Sequence, residues 1–126
     1  MTTYLEQRKH PGSSSGSASG DFVFASAVAI DPATMRRIPE ARTVAEETRA
    51  VLALVEDHLA QAGCGLRDVV KTTCYVSEET DRMEFIQAYR DVFAPGPYPA
   101  RCTVVMGIAG DCRVQVDAIA YRGAQQ

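Results

Sequence analysis

Two periods divide the chain. In Asp21–Ile30 the positions alternate, with Phe22, Phe24, Ser26 and Val28 on one face, which predicts a strand. Residues 69–77, Val-Val-Lys-Thr-Thr-Cys-Tyr-Val-Ser, predict a second, because β-branched side chains suit a pleated surface. A third runs from Tyr98 to Met106, entered through Pro99, and a fourth from Arg113 to Tyr121. Between the first two the period lengthens. Val44, Thr48, Val51, Leu52, Val55 and Leu59 form one stripe, and Glu46, Glu47, Arg49, Glu56 and Asp57 populate the other side, so residues 43–62 predict an amphipathic helix. Thr43 with Glu46 three places on reads as its capping box, and Gly63 as its end. A second helix is predicted over 81–93, with Ile86, Tyr89 and Phe93 at helical spacing, until Ala94-Pro95-Gly96-Pro97-Tyr98-Pro99 breaks it.

The order is strand, helix, strand, helix, strand, strand, with a short return strand near Met35–Glu40. It predicts an α+β layer pair, a mixed sheet with both helices on one face. The last two strands, joined through Ala109-Gly110-Asp111, predict a hairpin. The other sheet face carries Phe22, Phe24 and Val28, too apolar to leave in water, and no helix remains to cover it. Self-association through that face is the expectation. Residues 1–20 end in a Gly/Ser-rich run with little apolar surface and predict a flexible arm; 21–122 predict a single domain, and 123–126 a tail.

Composition narrows the function classes. The chain has 126 residues, 46% hydrophobic and 23% charged, which fits one globular domain. A formal net charge of -3 argues against nucleic acid as a partner. No apolar run is long enough for a membrane span, and the N-terminus lacks the apolar core of a secretion signal, so a cytoplasmic protein is expected. The cysteines, Cys64, Cys74, Cys102 and Cys112, form no close pair and predict reduced thiols rather than a metal site. His10 and His58 are far apart, and His58 is expected at the solvent edge of the first helix. Arg101 stands out on its strand, sharing a face with Thr103 and Val105 and opposite Cys102, Val104 and Met106. It must reach solvent or meet an anion, since an unpaired buried charge is costly.

Three segments resemble the RidA/YjgF family of reactive intermediate deaminases, also known as an endoribonuclease or translation inhibitor family. Val69-Val70-Lys71-Thr72-Thr73-Cys74-Tyr75-Val76 is similar to its V-V-K-T-T-x-(F/Y)-V strand, Pro99-Ala100-Arg101-Cys102-Thr103-Val104 to its P-A-R-S-x-V segment, and Gln115-Val116-Asp117-Ala118-Ile119-Ala120 to its E-I-E-A-I-A ending. Glu47-Thr48-Arg49 is similar to its E-Q-T-R segment. The resemblance spans about residues 12–122. It implies a RidA/chorismate mutase-like fold and a barrel-like homotrimer with pockets between subunits. It also implies hydrolysis of short-lived enamines and imines to 2-keto acids and ammonia, without metal or organic cofactor. Arg101 falls at the position of the arginine that clamps the substrate carboxylate, which a planar guanidinium fork suits.

Other pocket positions depart from that pattern. The glutamate that orients water falls at Gln115, and an amide cannot take a proton. The cysteine two places after the arginine is Thr103, with Cys102 at the intervening serine position. The serine of the first-strand Ser-Gly pair is kept as Ser26, but the glycine is Ala27. An expected asparagine becomes Ile86, and an expected tyrosine falls in Ser13-Ser14-Ser15. Tyr98 is a candidate for the pocket mouth, and Lys71 for a structural role. The resemblance thus implies catalytic roles for Arg101, Gln115 and Thr103, and substrate contacts from Arg101, Ser26, Ala27, Cys102, Tyr98 and Ile86. Four outcomes stay open: an imine deaminase with an altered pocket, another small-carboxylate reaction such as a tautomerisation, cyclisation or hydrolysis, a non-catalytic binder of a small carboxylate or regulatory partner, or a nuclease or other activity, which the acidic charge disfavours. On this reading Gln115→Glu raises deaminase activity.

Overall fold

The computed structural model describes residues 1–7 and 12–123, so His10 and residues 124–126 of the tail lie outside it. One six-stranded sheet carries two helices. Its strands are β1 (Thr2–Gln7), β2 (Ser14–Ser19), β3 (Phe22–Val28), β6 (Val69–Val76), β7 (Ala100–Val105) and β8 (Val114–Tyr121), in the spatial order β1-β2-β3-β8-β6-β7. A two-stranded ribbon, β4 (Ile30–Asp31) with β5 (Arg36–Arg37), stands apart. The helices are α1 (Val44–Ala60) and α2 (Arg82–Phe93). The α+β class follows as the periodicity predicts.

α1 begins where its chemistry says. The Thr43 side chain accepts from the Glu46 backbone N–H at 3.0 Å, and Glu46 accepts from the Thr43 N–H at 3.0 Å, so two otherwise orphaned donors are satisfied. Past its C-terminus Gly63 takes φ +78°, a conformation costly for a residue with a Cβ. Val51, Leu52, Val55 and Leu59 are fully buried between α1, α2, β3 and β8. Burying each such side chain contributes roughly 1.5–3 kcal/mol relative to leaving it exposed. From the sheet come Val23, Ala25 and Ala27 of β3, Thr72, Cys74 and Val76 of β6, and Val114, Val116, Ala118 and Ala120 of β8. Their partners on alternate positions point to the bare face, where Phe22 (45% exposed) and Phe24 (40% exposed) stand open.

Among the described residues one carboxylate is buried in this core. Glu47 on α1 is completely buried. Its Oε2 accepts from the backbone N–H groups of Arg113 and Val114 at 2.7 and 3.1 Å, and its Oε1 from Arg113 Nε at 2.8 Å. Arg113 also donates to the carbonyl oxygens of Ala41 and Arg42. A buried carboxylate is tolerated when every lone pair finds a donor. Here the donors are the start of β8, so the clamp sets where that strand enters the sheet.

The structure corrects three expectations. Residues 98–106 and 113–121 do not form a hairpin. β7 pairs in parallel with β6, from Lys71↔Ala100 to Val76↔Val105, and β8 lies antiparallel between β3 and β6. The α2 crossover is long enough to return the chain parallel to β6, and proximity along the chain does not decide pairing. Nor are residues 1–20 a free arm. β1 and β2 pair with each other and β2 with β3, because a ladder needs backbone groups rather than apolar side chains. Small residues are required there. A Cβ on Gly16 would stand 2.5 Å from the Phe24 carbonyl oxygen. This hairpin also covers His58, which is 7% exposed rather than at a solvent edge, with Nδ1 3.7 Å from Glu6 of β1.

Candidate functional site

The sheet register sorts the candidate residues onto two faces. Arg101 is level with Thr72 and Thr103 with Cys74, and Thr72 and Cys74 are buried under α2 and α1, so Arg101 and Thr103 point to the helix side. Cys102 is level with Thr73, which is level with Asp117, which is level with Ser26. These, with Gln115, point to the bare side.

On the helix side, Arg101 sits on β7, the edge strand, and is exposed. Its guanidinium carbon lies 5.3 Å from the centroid of the Tyr89 ring. A cation over an aromatic face is held without being neutralised. Tyr89 is itself fixed. It is 2% exposed, and its hydroxyl shares a hydrogen bond with Thr72 Oγ1 at 2.8 Å. Burial pushes its phenol up to about 12, so it remains protonated. Among the described residues no carboxylate lies within ion-pair distance of Arg101. Thr103 Oγ1 is buried without a partner, and its carbonyl accepts from Arg82. Ile86 packs against the core from α2, and Tyr98 in the loop before β7 is half exposed.

The bare side holds a groove of about 790 Å³ over β2, β3 and β8, lined by Tyr4, the Ser13–Ser17 run, Phe24, Ser26, Asp117 and Ile119. Ser26 Oγ donates to Asp117 Oδ1 at 2.6 Å, and Gln115 Nε2 donates to the same oxygen at 3.2 Å. Tyr75 stands level with Gln115 on β6; burial pushes its phenol up, and the negative charge of Asp117 adds to the shift. The Ala27 methyl is buried toward the helices rather than on this face. Cys102 is the one exposed thiol; burial drives Cys74 and Cys112 up to about 11, where they stay protonated. Among the described residues no group of three or more His, Cys, Asp or Glu side chains is placed to hold a metal ion. Among the same residues no helix is long and apolar enough to cross a membrane.

Residues 10–122 match the Endoribonuclease L-PSP family. The chain belongs to the RidA/YjgF family. Among its relatives, a RutC family protein of Pyrococcus abyssi is 32% identical over 105 residues, 82% of this chain and 80% of its own length. The 2-iminobutanoate/2-iminopropanoate deaminase of Mus musculus is 32% identical over 97 residues, 76% of this chain and 70% of its own. The fold superposes on the YjgF gene product of E. coli with a TM-score of 0.78 at 25% identity, covering 89% of each chain. It also superposes on yeast Mmf1 with a TM-score of 0.85 at 19% identity, covering 97% of this chain and 99% of that one.

In this RidA/YjgF chain the two clusters are separated within one copy. β7 is two strands from β8, and Tyr75, level with Gln115, is level with Val104 rather than Arg101. Arg101 and Gln115 therefore do not face each other across a hairpin; they occupy opposite faces of one sheet. Two participants were not singled out in the sequence. Asp117 was legible, because two residues after Gln115 on a strand means the same face. Tyr89 shows only helical core spacing in the sequence, and nothing in a linear sequence places a helix ring beneath a strand arginine.

Proposed function

We propose that the chain hydrolyses small enamines and imines of 2-amino acids to 2-keto acids and ammonia, at sites completed between copies of itself in a homotrimer. The observation that carries this is Arg101, a cation on an exposed sheet edge, steadied by Tyr89 and left without an acidic partner among the described residues. Such a group is suited to a planar anion, and a guanidinium pairs with a carboxylate through two parallel hydrogen bonds. The relatives named 2-iminobutanoate/2-iminopropanoate deaminases supply the substrate class. The separation of faces supports the assembly. One copy cannot bring both Arg101 and the Ser26–Asp117 groove to a molecule of a few atoms, but the edge of one copy laid against the bare face of the next can. The same packing covers Phe22, Phe24 and Tyr121.

Chemically the reaction asks little beyond orientation. Once the enamine carbon is protonated, the iminium is electrophilic enough for water, and holding water and carbon in line supplies much of the rate. The formal charge of -3 sits poorly with a nucleic-acid substrate. The test is to generate 2-iminobutanoate in situ with a dehydratase and follow keto-acid release. Release faster than the spontaneous rate, in proportion to added protein, is the expected result. Release at the spontaneous rate, with a thermal shift on adding 2-keto acids, would instead mark a carboxylate binder.

A further inference from the structure

We propose that Asp117 is the catalytic base that takes the proton from the attacking water, with Ser26 and Gln115 as its positioning residues; this rests on the imine-hydrolysis reading. Gln115 cannot serve, because a carboxamide does not accept a proton at neutral pH. Asp117 is on the same face two residues on, and it is the single acidic side chain among the residues that line the groove. Ser26 at 2.6 Å and Gln115 at 3.2 Å both donate to its Oδ1. The Tyr75 phenol is a further hydrogen-bond partner of the same carboxylate. Oδ1 is thus anchored by two side chains, an arrangement that holds the carboxylate in one orientation toward a water in the groove. The neighbouring phenol of Tyr75 is pushed up and stays a neutral donor on that face.

The step conserves atoms and electrons. A lone pair on the water oxygen forms the C–O bond, the C=N π pair moves onto nitrogen, and the water proton passes to Asp117. Asp117 returns that proton to the amine nitrogen of the carbinolamine. The C–N bond then breaks with its electrons on nitrogen, the hydroxyl O–H pair closes the C=O bond, and its proton leaves with the ammonia as ammonium. Iminium and water become ketone and ammonium, with nothing oxidised or reduced.

The experiment is the pH profile of kcat/KM on 2-iminobutanoate made in situ, for the full chain and for Asp117→Asn, Asp117→Glu and Gln115→Glu. On this face the titratable or charged groups around Asp117 are Tyr75 and Lys71 of β6, Cys102 of β7 and, across the groove, Tyr4 of β1; β3 contributes none. The unaltered chain should lose activity toward low pH as the base protonates. Asp117→Asn should lose about 10²–10⁴-fold and its acid limb with it. Asp117→Glu should keep part of the rate and keep the limb. Gln115→Glu sets a second carboxylate against the first, and two such groups cannot both ionise freely, so the limb should move to higher pH and the neutral-pH rate should not rise. This reverses the gain expected from the sequence. Should Asp117→Asn fail to fold, by size and melting, the limb positions of the other two variants decide. An active protein whose Asp117→Asn variant keeps rate and limb, or whose Gln115→Glu variant gains at neutral pH with the limb unmoved, overturns this assignment alone. An unaltered chain with no activity overturns the deaminase reading and this inference together.

Discussion

Replacing Arg101 by alanine is expected to lower kcat/KM for 2-imino acids by roughly 10²–10⁴-fold, because two charge-assisted hydrogen bonds of about 1.5–3 kcal/mol each are lost. Part of the loss should appear in KM, since the carboxylate is bound in the ground state as well as at the transition state. Arg101→Lys should recover a fraction only, because an ammonium is a point charge without the planar fork. The fold should be indifferent. Arg101 is exposed on an edge strand and makes no ion pair among the described residues, so its melting temperature should stay within a degree or two. Titration of each variant with a non-reacting 2-keto acid, read by thermal shift, separates lost binding from lost chemistry. Unchanged kcat/KM in Arg101→Ala would place the anion site elsewhere.

Glu47→Ala is expected to cost about 3–5 kcal/mol of folding stability, the typical effect of breaking a buried ion pair from one side. The residue is completely buried, and its removal leaves the Arg113 guanidinium and two backbone N–H groups facing a cavity. Glu47→Gln should also destabilise, because every group around the carboxylate is a donor and the new NH₂ adds another. The check is urea denaturation at neutral pH, reading the midpoint at constant m. A loss under about 1 kcal/mol for the alanine variant would mean that the clamp is replaceable by water. In a variant that still folds, the entry of β8 should loosen first, seen as faster amide exchange at Val114 and Val116.

Periodicity carried the element identities. The capping box at Thr43 and the α1 stripe rest on contacts three and four residues apart, which a sequence displays directly. Strand pairing does not rest on neighbours. β8 inserts between β3 and β6, and the preference of a segment for extended backbone says nothing of which strand accepts its hydrogen bonds. The N-terminal hairpin was misjudged for a related reason. Its serines and glycines bury little, yet their backbone groups complete a ladder on β3, and small size is what the approach of Gly16 to Phe24 demands. For the candidate site, alternation correctly separates Arg101 and Thr103 from Cys102. It does not reveal that Gln115 belongs to the other side of the sheet from Arg101, because that follows from the pairing of β6 with both β7 and β8.

The proposed site is shared by two copies. Arg101→Ala and Asp117→Asn chains, each nearly inactive alone, can be co-expressed with different tags and the mixed assemblies isolated. In such a mixture some junctions join the intact Arg101 edge of one copy to the intact Asp117 groove of the next. Whichever variant is in excess, a mixed head-to-tail trimer has one complete site of its three, about a third. The prediction is 2-iminobutanoate hydrolysis by the mixed assemblies at about that fraction of the unaltered rate. Mixed assemblies no more active than the two parent variants would contradict it.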